Sequence, residues 1–224
     1  MTRTSQRQTW RLAALTMAIA SAACARAGVQ LAPGAGVVPV GTPVAPPRGG
    51  SRYIYTPADV DFMQGMIPHH AQAVRMANLA VSHGASRDVQ MLSERIIVSQ
   101  RDEIELMRGW LGERGERVPA PDATHHRMTM GGAEHDMLMP GMLTDAELAQ
   151  LDRARAVEFD RLFLTFMIRH HQGALTMVDA LFASPGAAHD DLVYKFASDV
   201  WADQTAEIDR MEKLLAALPS GGGR

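Results

Sequence analysis

The sequence writes one cluster of donor atoms twice. "MIPHH" at 66–70 and "MIRHH" at 167–171 each set two adjacent histidines three and four residues after a methionine. On a helix those positions are neighbours, so one element can present a thioether and an imidazole together. Thioether sulfur is a soft donor that favours Cu(I) or its mimic Ag(I), and imidazole also accepts Cu(II). The candidate ligands are Met66, His69, His70 and Met76 in the first copy, and Met167, His170, His171 and Met177 in the second.

A third group lies between them. "HHRMTMGGAEHDMLMPGM" at 125–142 holds His125, His126, Met128, Met130, His135, Met137, Met139 and Met142. Its glycines, its proline and the lack of a helical period predict a surface loop. Five exposed methionines have no packing role there, which points to a soft metal ion. Zinc fits less well, because zinc sites seldom use thioethers and the chain offers no second cysteine. Iron fits poorly too. Di-iron bundles take Glu-x-x-His from two helices, and this chain has no such motif and one inward glutamate per hairpin.

At about 100° per residue, Asp59, Phe62, Met66, His69, His70, Ala73 and Met76 fall within an arc of roughly 120°. Gln64, Gln72, Arg75 and Asn78 fall outside it, on the expected wet face. The second copy repeats the stripe. Ile96, Gln100, Glu103 and Met107 also share a face, and Gln204 with Glu207 take the equivalent places later in the chain. A carboxylate on an apolar stripe needs a partner. The inward histidines are the candidates, with Glu103, Glu207, Gln100 and Gln204 orienting the imidazoles or ligating the metal directly. The alternative is purely structural. A lone histidine on an apolar stripe is ordinarily a satisfied core residue, and a methionine stripe is ordinarily packing.

Four helices must position these groups. Thr56, Pro57 and Asp59 form a helix start of the capping-box type, and helix 1 should run to about His83, kinked at Pro68 and stopped by Gly84. Ser86 should cap helix 2, which fades at 112–115. Thr144 and Glu147 open helix 3, expected to continue to about Phe182. "SPG" at 184–186 restarts the chain with Pro185 near the start of helix 4, which ends about Leu218. No segment sustains a period of two, so no sheet is expected. Short connections within each pair predict an all-α, antiparallel four-helix bundle built from two repeated hairpins. An offset of 101 aligns Asp59, Phe62, Met66, His69, His70, Ala73 and Met76 with Asp160, Phe163, Met167, His170, His171, Ala174 and Met177. An offset of 104 aligns Gln100, Glu103, Ile104 and Met107 with Gln204, Glu207, Ile208 and Met211.

The remaining segments give an address. Arg3, Arg7 and Arg11 precede the uncharged run "LAALTMAIASAA" and small residues, the pattern of a bacterial export signal over 1–27. Cys24, the single cysteine, ends "SAAC", which resembles a lipoprotein lipobox; cleavage after Ala27 is the alternative. Residues 28–52 read as a Pro/Gly-rich linker, 53–218 as the bundle with its Met/His-rich loop at 116–143, and 219–224 as a disordered tail. The expected location is extracytoplasmic, periplasmic or on a lipid anchor. The net charge of −3 gives no electrostatic case for nucleic acid.

Taken together, "DFMQGMIPHHAQAVRMA", "SQRDEIELM", "MPGMLTDAELAQL" and "FDRLFLTFMIRHHQGALTMV" resemble the family called domain of unknown function 305 (DUF305), over about residues 53–218. The resemblance implies a ferritin-like helical bundle in the bacterial envelope. For some members it implies copper binding tied to copper resistance, and it implies no established catalysis. Pro68 and Arg169 differ between the copies, so the two clusters need not bind equally. The function expected is therefore sequestration or transfer of copper, with another envelope copper-handling protein as a candidate partner. A ferritin-like redox enzyme and a metal-free structural or partner-binding bundle are the alternatives.

Overall fold

Each helix starts where local chemistry lets it. The computed structural model describes residues 54–130 and 133–219; the segments read from sequence as an export signal and a linker, Cys24, and the tail after 219 lie outside them. Thr56 accepts from the Asp59 amide while Asp59 accepts from Thr56, and α1 (Pro57–Ala77) begins at the proline. α1 continues through Pro68. α2 (Arg87–Glu113) follows, and then a segment carrying β1 (His126–Met130) and β2 (Ala133–Met137). Thr144 and Glu147 form the expected capping box of α3 (Asp145–Arg153). α4 (Ala156–Ala183) and α5 (Asp191–Ala217) complete the chain.

The fold is all-α apart from one two-stranded sheet, and several expectations need correction. The helices number five among the described residues, four long and one short. Helix 1 ends at Ala77 rather than near His83, and turns occupy 78–84. Helix 3 is broken at 154–155. No proline or glycine marks that break. It is set by tertiary bonds: the Ala156 amide donates to the His83 carbonyl, and a His83 ring nitrogen lies 2.9 Å from the Asp152 carbonyl oxygen. α5 starts at Asp191, capped by Asp190, not near Pro185. The sheet was not expected at all. His126 pairs with Met137 and Met128 with His135, and only two residues, Gly131 and Gly132, separate the strands. Two glycines suit a two-residue hairpin connection.

α1 packs on α2, α4 on α5, and the two hairpins meet through α1 and α4. The apolar core forms two clusters. One gathers Phe62, Met66, Met107, Met177, Leu181 and Phe196. The other gathers Met76, Leu92, Ile96, Phe163, Met167 and Met211. The start of α1 therefore shares a cluster with the end of α4, and the reverse holds at the other end, so α1 and α4 run antiparallel. Each such buried side chain contributes about 1.5–3 kcal/mol relative to exposure.

Two buried aspartates tie the hairpins together. Asp59 on α1 accepts from the Ala188 amide, in the α4–α5 turn, at 2.7 Å. Asp160 on α4 accepts from the Ser86 amide, in the α1–α2 turn, at 3.1 Å. Residues aligned by the repeat thus make matching contacts, each reaching into the other hairpin. Ser86 is the N-cap of α2 but caps through no side-chain bond.

From the 116–143 segment, Arg117, Pro140 and Leu143 bond to α1. Leu143 and Gln72 exchange two hydrogen bonds, of 2.6 and 3.0 Å. Gln64 bonds the Arg117 carbonyl at 2.8 Å and receives the Arg117 guanidinium at 3.0 Å. Gln64 and Gln72 are consequently buried, against the expectation of a wet face. The segment also presses on α4. A Cβ on Gly173 would stand 1.9 Å from the Pro140 oxygen, so only glycine allows this approach.

Candidate metal centre

Between the two apolar clusters lies a layer of imidazoles. His69, His70, His170 and His171 all have 0% exposure. α1 supplies the first pair and α4 the second, each within the inward stripe read from the sequence. His69 and His170 face one another at the hairpin interface, ring centroids 3.8 Å apart and planes 38° apart. His70 and His171 lie outward of them, at 6.3 and 6.2 Å from their sequence neighbours.

The outer rings meet the glutamates of the second helices. His171 Nε2 lies 2.7 Å from Glu207 Oε2 in a hydrogen bond. His70 Nε2 lies 2.7 Å from Glu103 Oε2, but without hydrogen-bond alignment. His69 Nε2 is 3.0 Å from the Pro140 carbonyl oxygen, which therefore accepts from it. His170 has no such bond at either nitrogen. The lack of symmetry follows from the 116–143 segment, whose Pro140 carbonyl accepts from His69 while it bonds neither nitrogen of His170.

Burial dominates the electrostatics. It drives His69 down to about 3, with the neighbouring charge of His70 acting in the same direction and the Pro140 carbonyl opposing it. Burial likewise drives His170 well below its usual value, followed by His69. Both rings are neutral at pH 7, so their lone pairs need displace no proton to take a metal. Nδ1 of all four histidines has no hydrogen-bond partner, nor has Nε2 of His70 or of His170. An imidazole held at one nitrogen by a carboxylate or carbonyl, with the other free, is the arrangement metal-ligating histidines use.

A cleft of about 930 Å³ between α2 and α5 is lined by Gln100, Glu103, Asp203, Gln204 and Glu207. Glu103 and Glu207 are 21% and 15% exposed, so each carboxylate touches both solvent and a sealed ring. Oε1 of Gln100 and of Gln204 is buried without a partner; these amides do not satisfy the histidines. Asp203, absent from the sequence reading, is raised by burial and then by Glu103, Asp199 and Glu207. Its place beside Gln204 was the only available signal.

The methionines divide. Met66, Met76, Met167 and Met177 are core residues at 0, 0, 0 and 6% exposure. Met142 and His126 are buried as well, at 6% and 2%, so this part of the presumed surface loop is packed. Met139 is half-buried, and its amide lies 3.3 Å from the Met142 sulfur. Met137, His135 and His125 are exposed, and Met128 and Met130 lie in β1. Among the described residues, no three His, Asp or Glu side chains already converge on a point suited to one ion.

An all-α bundle with a sealed imidazole layer at its hairpin interface and carboxylates in the adjoining cleft defines a protein built around buried polar donors. The chain belongs to the family described as domain of unknown function (DUF305), which matches residues 59–215. It is similar to a DUF305 protein of Streptomyces coelicolor described as secreted, at 27% identity and a TM-score of 0.61, over 75% of this chain and 97% of that one. It is also similar to CopM in its Cu(I)-bound form, at 28% identity and a TM-score of 0.54, over 70% of this chain and 95% of that one. CopM has also been solved with Cu(II) and with Ag. An uncharacterised protein of Acanthamoeba polyphaga mimivirus, L153, is 38% identical over 56 residues, 25% of this chain. That match spans only 37% of the viral protein's length. Among the described residues, no helix is long and apolar enough to cross a membrane.

Proposed function

We propose that the protein binds copper outside the cytoplasm, holding it or passing it to another envelope copper-handling protein, and so contributes to copper tolerance. The observation that carries this is the four-histidine layer, in which fully buried imidazoles keep unpartnered nitrogens. Leaving such atoms unmet costs about 1–3 kcal/mol each, and a bound ion would remove that cost. The likeness to CopM, a protein solved with Cu(I), Cu(II) and Ag, and to a protein described as secreted supports the choice of metal and compartment. Glu103 and Glu207 then orient His70 and His171 from the wall of the cleft between α2 and α5, which Arg95, Arg210 and Lys213 also line. Cys24 offers a lipid anchor, with the linker as a tether. The role is binding rather than catalysis.

A metal-free structural layer is the competing reading, favoured by the close approach of the His69 and His170 rings and by the lack, among the described residues, of a preformed three-residue site. Titration of the full chain with Cu(II), and with Cu(I) kept reduced, decides between them. At a free ion concentration of about 100 times Kd, binding should raise unfolding stability by about 2.7 kcal/mol. His70→Ala combined with His171→Ala should weaken uptake. No stabilisation by either ion would leave the structural reading standing.

A further inference from the structure

A second donor group lies away from the histidine layer. A pocket of about 310 Å³ opens between the start of α1, the end of α4 and the segment that crosses them. His126, Met139 and Met177, from three separate parts of the sequence, share its wall. His126 is 2% exposed, and its Nδ1 has no partner. Burial lowers this imidazole, helped by the nearby Arg117, while Asp61 and the Gln64 backbone oppose the shift. The Gln64 carbonyl is available because its helical donor would be the N–H that Pro68 lacks.

The two thioethers meet over Gly65. A Cβ there would stand 2.9 Å from Met139 Cε, 3.4 Å from Met139 Sδ and 3.4 Å from Met177 Cε. Glycine inside a helix costs roughly 0.5–1 kcal/mol relative to alanine. At position 65 it leaves space that both sulfur-bearing side chains occupy. The pocket therefore combines a buried, unmet nitrogen with two soft donors.

We propose that His126 Nδ1, Met139 Sδ and Met177 Sδ form a site for a soft monovalent ion, Cu(I) or Ag(I), distinct from the four-histidine layer. The proposal rests on the copper reading above and narrows it to one oxidation state. Two thioethers and one imidazole select against Zn(II) and other harder ions. Since Met139 adjoins Pro140, whose carbonyl holds His69, an ion here would sit against the same segment that orients the central layer.

The test uses the full chain with methyl-labelled methionine, titrated with Ag(I) and then with reduced Cu(I). The Met139 and Met177 methyl signals should move with bound ion. Met139→Leu and Met177→Leu conserve volume, and circular dichroism checks that helicity is kept. Each should weaken Ag(I) binding about tenfold or more, and the pair should remove one equivalent while Cu(II) uptake is unchanged. Unmoved methyl signals, or an unaltered Ag(I) count in the double variant, overturn this site alone. A full chain that takes up neither copper nor silver overturns both this site and the copper reading.

Discussion

His69 and His170 meet ring to ring, 3.8 Å apart, where no solvent reaches them. Their depressed values have a consequence for stability. The unfolded chain protonates both rings as pH falls through about 6.5, while the folded chain does not. Their contribution is therefore complete above that pH and is lost progressively below it. For His69 the loss continues towards its folded value of about 3. Urea midpoints measured from pH 7.5 to 4.5 should fall accordingly, and His170→Gln should flatten the profile; a flat profile in the parent would contradict sealed rings. Glu207→Gln should cost about 1–3 kcal/mol in the same assay, since it replaces a carboxylate bonded to the buried His171 with a neutral amide. The sequence made these pairings legible, because an inward glutamate beside an inward histidine leaves few other partners. Gln64 and Gln72 were misread. A helical arc shows which face is apolar, but not that a later segment will cover the polar one.

The helices were mostly legible as elements, and their ends were less so. Thr56 with Asp59 and Thr144 with Glu147 form the capping boxes expected of them. The break at 154–155 was not readable, because its cause is His83, some seventy residues earlier. The hairpin was readable in part: "HRMTM" and "AEHDM" alternate on either side of two glycines, but the runs are short and rich in metal-binding types. At this scale Gly173→Ala tests the covering segment. Its Cβ would collide with the Pro140 carbonyl. The variant should lose about 1–3 kcal/mol and loosen residues 139–142, seen as faster amide exchange there. Asp160→Ala strands the Ser86 amide and should cost about 1–3 kcal/mol. Asp59→Ala should cost more, by about 1 kcal/mol, because it also breaks the α1 capping box. Chemical denaturation of the two variants side by side checks the order.

In the whole molecule, α1 is the central member. It contacts α2, α4 and the β1 segment, and most of its residues are buried. Native-state hydrogen exchange should find the slowest amides in α1, and protection there below that of α5 would contradict the packing described. The internal repeat aligns Asp59 with Asp160, and each accepts from an amide in the turn of the other hairpin. It did not foretell that an intervening segment would bond to α1 at Gln64 and Gln72 and press on α4 at Gly173, since a repeat carries no information about what lies between its halves. The aspartate bonds also bear on how the chain comes to be folded. The N–H that Asp59 needs belongs to residue 188, which is 129 positions further on. A ribosome or translocon delivering this polypeptide from its N-terminus releases the first hairpin long before its clasp exists. The nascent protein thus stays unlatched until nearly all of it has emerged.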